Sequence, residues 1–435
     1  MVDVKPFKGL RYNNFLSNSL GSLISPPYDI LSPFEQKALY ERSFYNAVRL
    51  ELAEENHEDT EIDNRYTRTA KTFYEWQRKG ILVSEQLPSM YLIEESFLLD
   101  GVNKTRNCIT TRVRLEEFGM GSIFPHEYTT PGPKQDRLAL MKACNANFSP
   151  LLSLYSDTDG YIQAIIDNLK ELNEPDISTE PIDNSMFYRM WVITNKDLLD
   201  KIKQALIRKA VYLADGHHRY ETAIEYRDFL KMSGRLTSLD HPANFVMMSL
   251  VAMEDKGLVI SPYHRIINGL SKEEIKNVWS KILQTFDINE IKSPSNSPKS
   301  IYEVYAAKLK EKSNDKIVFG IFTQTPPNSL ILELKASVKG TSYASSAERS
   351  DPMYLSQSVI KPVLGHKRES KAVSFLHDGQ KAIELVQNKE EQMAILLRSM
   401  PMDLFREIVT IGDRLPPKST YFYPKLPTGL VFNSL

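Results

Sequence analysis

The chain has 435 residues, 42% hydrophobic and 25% charged, which at roughly 150 residues per domain predicts about three units with real cores. Its 54 Lys and Arg stand against 55 Asp and Glu, a net charge of −1, so the basic excess of a protein built for nucleic acid or an anionic membrane is excluded. Two cysteines, Cys108 and Cys144, exclude a disulfide framework and suit a reducing compartment. No stretch approaches the ~20 apolar residues of a membrane span, and Met1–Leu10 lacks a signal-peptide core. The expectation is a soluble, cytoplasmic protein.

In chain order, Ser32-Pro33-Phe34-Glu35 is a capping box with proline at the first helical position. Ile62, Tyr66, Ala70, Phe73 and Trp76 recur at helical spacing, and Gly80 ends that helix. Tyr91, Ile93, Phe97 and Leu99 alternate into Asp100-Gly101, and Ile109, Thr111, Val113 and Leu115 alternate beyond it, predicting a hairpin. From about 150 to 270 the order is strand, helix, strand, helix. The strands are expected at 151–155, 190–193, 211–214 and 245–253. The helices carry Ile162 to Leu172, Leu198 to Leu206 and Tyr220 to Leu230, the last closed by Gly234. Lys292 to Lys299 is Ser/Pro/Asn-rich and predicts an exposed loop or linker. After it, strands are expected near 316–323, 329–334, 371–376 and 393–397, with helices near 300–311, 352–360, 379–388 and 402–411. The class is α+β, mixed sheets with helices. Three regions are expected: 1–150 with the hairpin, 151–290, and 291–435.

The sharpest local feature is Tyr212 to Ala223. A short buried strand ends at Asp215-Gly216, and His217-His218-Arg219 opens a helix. The unpaired N–H groups and positive dipole end of such a helix favour an anion. Arg219 adds a planar fork suited to phosphate oxygens, and the histidines add titratable groups. The bland alternative is a strand–turn–helix capped by Asp215.

Other stretches read two ways. Pro26-Pro27-Tyr28-Asp29 is a rigid turn or presents Asp29 as a base or magnesium ligand. His126-Glu127 sits in a loop between Gly121 and Gly132, beside the hydroxyls of Tyr128, Thr129 and Thr130, where sites are commonly carried. Asp136-Arg137 is expected at a helix start, as cap, ion pair or ligand contact. His264-Arg265 follows a proline turn. Lys418-Ser419-Thr420 carries side chains that hold phosphate in a P-loop, without the glycine frame; the alternative is a tail pinned by Tyr421, Phe422 and Tyr423. His-Glu-x-x-His, Cys-x-x-Cys, Gly-x-Ser-x-Gly and Gly-x-Gly-x-x-Gly are all missing. The basic run Lys361 to Lys371 lacks the interleaved aromatics of a nucleic-acid surface.

The Asp215-Gly216-His217-His218-Arg219 turn resembles the phosphate-binding turn of the ParB/sulfiredoxin superfamily, which includes ATP- or ADP-dependent kinases of free serine. Sulfiredoxins carry a cysteine in this turn, where this chain has His217 and His218. Ser25 to Asp29, Pro125 to Thr129, Lys134 to Leu138, the Asp215 turn, Tyr263 to Arg265 and Pro416 to Lys425, in that order, resemble domain-of-unknown-function family 1015. Arg414 stands where that family's pattern leads one to expect methionine.

The resemblance implies a ParB/sulfiredoxin-like unit within 151–290. It also implies a nucleotide-dependent phosphotransferase on a small hydroxyl metabolite, free L-serine above all, or the reverse dephosphorylation. Gly216, Arg219, His126, Arg137, Lys418, Ser419 and Thr420 would hold the phosphates of ATP or ADP. Asp215 would bind Mg2+, Glu127 or Asp29 would serve as base, and His217 or His218 would contact the moving phosphoryl group. Tyr28, Thr130, Asp136, His264 and Arg265 would line the substrate or support it. The alternative is a non-catalytic, ParB-like nucleotide-binding regulator. Neither reading involves nucleic acid or membrane.

Overall fold

The capping box over Ser32–Glu35 forms as its spacing requires. In the computed structural model Glu35 N donates to Ser32 Oγ (3.3 Å) and Ser32 N to the Glu35 carboxylate (2.8 Å), opening the helix Pro33–Arg42. The structure describes residues 1–99, 101–129, 131–179, 186–324, 328–338 and 345–435. Asp100 of the expected hairpin turn and the candidate Thr130 lie outside the described residues.

The chain divides into two units. One comprises Met1–Pro125, Thr129–Val259 and Pro424–Leu435; the other comprises His126–Tyr128 and Ile260–Tyr423. The first is built on β1 (Met90–Leu99), β2 (Val102–Arg114), α1 (Pro131–Cys144), β3 (Leu151–Tyr155), β4 (Met186–Ile193), β5 (Val211–Asp215), α2 (His217–Met232) and β6 (Phe245–Ala252). Among the described residues these six strands are the centre of a mixed sheet of nine, in the order β5-β3-β6-β2-β1-β4. The pair β1/β2 is the expected hairpin, in register from Leu99↔Val102 to Tyr91↔Thr110. Its one face buries Met90, Leu92, Ile109 and Val113 against a core shared with Leu151, Leu213, Tyr220, Ala223, Tyr226 and Leu230. The α2 residues recur at the three- and four-residue steps of a one-sided helix.

The second unit carries β7 (His264–Ile267), α3 (Lys272–Thr285), β8 (Phe286–Glu290), α4 (Pro298–Lys310), β9 (Val318–Thr323), β10 (Ser329–Leu334), β11 (Val373–Leu376), α5 (Gly379–Gln387), β12 (Met393–Leu396) and α6 (Met402–Thr410). Its strands form an antiparallel sheet in the order β8-β10-β9-β12-β7-β11. Both faces are covered, so neighbouring strand residues enter different cores: Ile267 packs with Val278, Ile282 and Phe319, whereas Ile266 packs with Tyr305, Ala382 and Leu396. The Ser/Pro/Asn-rich stretch is a loop leading from β8 into α4.

Three details differ from the sequence reading. Ile62 lies ahead of its helix and is 88% exposed, because Asn64 caps Arg65–Arg78 by accepting from Tyr66 N and Thr67 N. Asp136 sits in the second turn of α1 rather than at its start, since the helix begins at Pro131. Asp215 belongs to β5 and caps nothing: Gly216 is the N-cap residue.

Candidate functional site

Strand β5 pairs with β3 through Leu213↔Ser153 and then Asp215↔Leu152. The extra residue, Ala214, is a β-bulge of the kind that re-aims the side chain following it. Gly216 follows with φ 95°, and a Cβ there would meet Leu151 Cδ2 at 2.5 Å; only glycine makes this turn without strain. Helix α2 then starts at His217, and its first N–H groups have no partner within the helix.

The Asp215 carboxylate, whose side chain is 17% exposed, accepts on Oδ2 from Arg219 Nη2 at 3.1 Å. On Oδ1 it accepts from Lys425 Nζ, whose side chain is 5% exposed. Burial alone would push this carboxyl up; Lys425, Arg219 and His217 outweigh it and hold it well below the usual carboxylate range. Arg219 also donates through Nη1 to Ser149 Oγ and to the Pro150 carbonyl, both at 2.8 Å. Its cationic form is stabilised by Asp215, Tyr28, Glu51 and Asp29 despite burial.

From Ser149 the network continues. Ser149 Oγ donates to Glu51 Oε1 (3.0 Å), and Arg137 Nη1 donates to the Glu51 carbonyl (2.8 Å). Arg137 binds Asp136 through Nε and Nη2 (2.7 and 2.6 Å), and Asp136 also accepts from Arg65 (2.5 Å) and the Tyr66 hydroxyl (2.8 Å). Asp136 is therefore an ion-pair partner. The Arg137 guanidinium lies 3.9 Å from the centre of the Tyr28 ring. Burial pushes the Tyr28 hydroxyl up to about 12, partly offset by Arg137 and Arg219. Asp29, next to it, is exposed and adds its charge to those acting on Tyr28 and Arg219. Five of the expected residues (Tyr28, Asp29, Arg137, Asp215 and Arg219) thus share one electrostatic neighbourhood.

Sequence reasoning gave no role to Glu51, Ser149 or Lys425. Lys425 had a signal: a lone cation in the apolar run from Tyr421 to Phe432 must find an acid if it is buried. Its backbone is fixed too. Glu95 and Arg106 are cross-strand partners with both side chains 0% exposed. Arg106 spends one donor on the Pro424 carbonyl, at 2.7 Å.

The second unit gathers His126, Glu127, His264, Arg265, Lys418, Ser419 and Thr420. His126 and Glu127 meet Lys418, Ser419 and Thr420 across nearly 300 residues of sequence: His126 Nε2 lies 2.8 Å from Thr420 Oγ1. The Glu127 carboxylate accepts from Lys418 N (3.3 Å) and Ser419 N (3.1 Å), so both its oxygens hold loop backbone. Ser419 Oγ donates to the Pro416 carbonyl at 2.7 Å. Arg265 Nη1 donates to the Tyr263 and Lys418 carbonyls (2.9 and 3.0 Å). On the opposite face of β7, His264 Nδ1 accepts from Leu397 N (3.1 Å), which puts the ring proton on Nε2. Burial, then the charges of Arg265 and His377, push His264 down to about 3. Tyr421 and Phe422 are buried, as expected of a pinned segment.

Magnesium fits this donor set poorly. Lys425 and Arg219 engage both oxygens of Asp215, and among the described residues no three His, Cys, Asp or Glu converge as ligands. No helix among the described residues is long and apolar enough to cross a membrane.

A family model described as "Protein of unknown function (DUF1015)" matches residues 4–401. No curated protein matches the chain. Among solved structures, a conserved hypothetical protein from Pyrococcus furiosus is 13% identical, aligned over 71% of this chain and 90% of its own, with a TM-score of 0.36. A free serine kinase in complex with AMP is 10% identical over 70% of this chain and 85% of its own, with a TM-score of 0.34. SbnI with a C-terminal truncation, from Staphylococcus aureus, is 10% identical over 72% and 82%, with a TM-score of 0.36. These are distant similarities.

Proposed function

We propose that this chain, which belongs to the DUF1015 family, binds nucleotide phosphates at the Asp215–Arg219 turn and moves a phosphoryl group between nucleotide and a small hydroxyl metabolite. The observation that carries this reading is the Asp215 carboxylate, ionised between Lys425 and Arg219 at the mouth of α2. Two cations and a helix N-terminus at one point favour an anion. Phosphoryl transfer asks mainly for that: charge neutralisation and positioning, with little covalent work by the protein. Asp215 keeps the two cations apart and aimed, and Gly216 lets the backbone approach.

Base duty falls best to Asp29, which is exposed and hydrogen-bonds to no described residue, whereas the oxygens of Asp215 and Glu127 are engaged. His217 and His218 open the helix that would face the transferred group. ATP or ADP as the nucleotide and free L-serine as the acceptor follow the resemblance of the Asp-Gly-His-His-Arg turn.

One observation favours the regulatory alternative, binding without turnover. Arg219 already donates to three internal acceptors, so a phosphate that recruits it must rearrange the turn, as a sensor requires. The two readings separate in one experiment. Thermal-shift titration with AMP, ADP and ATP is followed by phosphorus NMR of the same samples with L-serine. Stabilisation with phosphoserine formation supports the enzyme, and stabilisation alone supports the sensor. Absence of both removes the phosphate-site reading.

A further inference from the structure

Among the described residues three non-glycine residues have positive φ, and Lys418 stands out from the other two. Asn145 (φ 50°) and Lys389 (φ 63°) each follow the end of a helix, α1 and α5, where a left-handed residue is the ordinary terminator. Lys418 (φ 61°) follows no helix. It comes after Pro417 in a tight turn, at the position that normally takes glycine or asparagine. A long side chain held in that conformation persists only where its surroundings over-determine it, and such strain collects at binding sites. The surroundings here do over-determine it: Glu127 accepts the N–H groups of Lys418 and Ser419, and Arg265 grips the Lys418 carbonyl.

Arg265 supplies the second, independent observation. It is 3% exposed, yet no carboxylate of the described residues lies in ion-pair range of it, and buried charges are ordinarily paired. Its two hydrogen bonds both leave from Nη1. Nε and Nη2, the edge with which a guanidinium grips an oxyanion in bidentate fashion, donate to no described residue. Unlike the orphaned Nε2 of His264, neither nitrogen is sealed from solvent. Phe375 stacks on the guanidinium plane, 4.6 Å from ring centre, leaving the edge as its free side. Burial lowers Arg265 to about 10, and the more distant charges of Glu127 and Glu369 offset this only in part.

We infer that Arg265 and Lys418 form an oxyanion-binding site in the second unit, taking the phosphate or carboxylate of a small metabolite. Glu127 acts there as a positioning residue: it fixes the backbone that presents Lys418. Lys418 Nζ lies over the Tyr263 ring, 5.1 Å from its centre, and Arg265 Nη1 holds the carbonyls of both Tyr263 and Lys418, which ties both cations to the same backbone. This site stands independently of the phosphate reading of the Asp215 turn.

The test reads Lys418 itself. Reductive methylation of the full chain is followed by peptide mass spectrometry in chloride, inorganic phosphate and acetate at matched ionic strength, with exposed Lys8 as internal reference. An occupied site slows Lys418 labelling about fivefold or more at anion concentrations several times the dissociation constant, with Lys8 unchanged. Protection by phosphate alone assigns a phosphate ligand, and protection by acetate assigns a carboxylate. Equal labelling of Lys418 in all three salts overturns the site. In Arg265→Gln the protection should disappear; its persistence overturns the role of Arg265. Should that variant not fold, Lys418→Gly decides: the proposal expects wild-type or higher melting temperature, because the strain is relieved, together with loss of any anion-dependent shift tied to this loop. A lower melting temperature with the shift intact overturns it. Failure of nucleotide binding at Arg219 leaves the Lys418 readout untouched, so the two proposals fail separately.

Discussion

Lys425 Nζ donates to Asp215 Oδ1 across 210 residues of intervening chain, and this bond unites a strand end, a helix start and a distant apolar segment. Removing one partner strands a mostly buried charge. Lys425→Met should cost about 3 kcal/mol, the low end of the buried-pair range because Arg219 still serves Asp215. In a urea-unfolding cycle with Asp215→Asn, the double variant should lose clearly less than the sum of the singles. Asp215 is depressed in the folded state, so its contribution is complete above its unfolded pKa near ~3.9 and is lost as pH falls below that. Asp215→Asn should flatten the acid limb of the stability profile.

His264 makes a pH prediction in a different window. Its folded value is about 3 against 6.5 unfolded, so between these the unfolded chain binds a proton that the folded chain refuses. Stability is full above pH ~6.5 and falls by up to about 1.4 kcal/mol per pH unit below it. His264→Asn keeps an acceptor for Leu397 N and cannot titrate. Denaturant melts at pH 7 and pH 5 should show a smaller loss in the variant than in wild type, by about 2 kcal/mol; equal losses would show that His264 does not control the acid limb.

Gly216→Ala meets both a left-handed backbone and a clash with Leu151 Cδ2. We expect about 2–3 kcal/mol of destabilisation, read by chemical denaturation. The contrast is Gly234→Ala, equally left-handed at φ 69° but with open space around a Cβ, which should cost nearer 1 kcal/mol. Equal costs would remove the steric part of the argument.

Arg219→Lys keeps the charge and loses the fork that spans Ser149, Pro150 and Asp215. Stability should fall by about 1–2 kcal/mol for the unmet acceptors. Nucleotide affinity should fall about tenfold, equivalent to ~1.4 kcal/mol. Calorimetric titration with ADP checks the second number, and unchanged affinity would remove Arg219 from the phosphate site.

Local signals made much of this fold legible. The box at Ser32–Glu35, the period of Leu198 to Leu206 and the alternation on either side of Gly101 each encode their element within a dozen residues. The elements that escaped notice lack such a signal. Strand β8, Phe286-Asp287-Ile288-Asn289-Glu290, is an edge strand with a largely exposed polar face, so composition hides it. Strand β7 is only four residues long and buried on both faces, which leaves no alternation to read. At the site, the Asp215 turn announced itself through its glycine and its basic neighbours. The bulge at Ala214 and the arrival of Lys425 did not, because each is decided by pairing with chain far away. Glu127 was legible as a loop carboxylate, but its hold on the Lys418 backbone was not.

The discontinuity of the first unit bears on how the chain is made. At about 5–20 residues per second, a ribosome takes roughly 10–40 s to travel from Asp215 to Lys425. During that interval residues 260–423, nearly all of the second unit, are synthesised, while the first unit still lacks residues 424–435. The nascent chain therefore holds Asp215 with only Arg219 to answer it. Pulse-labelled, stalled chains ending before residue 424 should remain cleavable around residues 211–219, a susceptibility that release of the full chain should abolish.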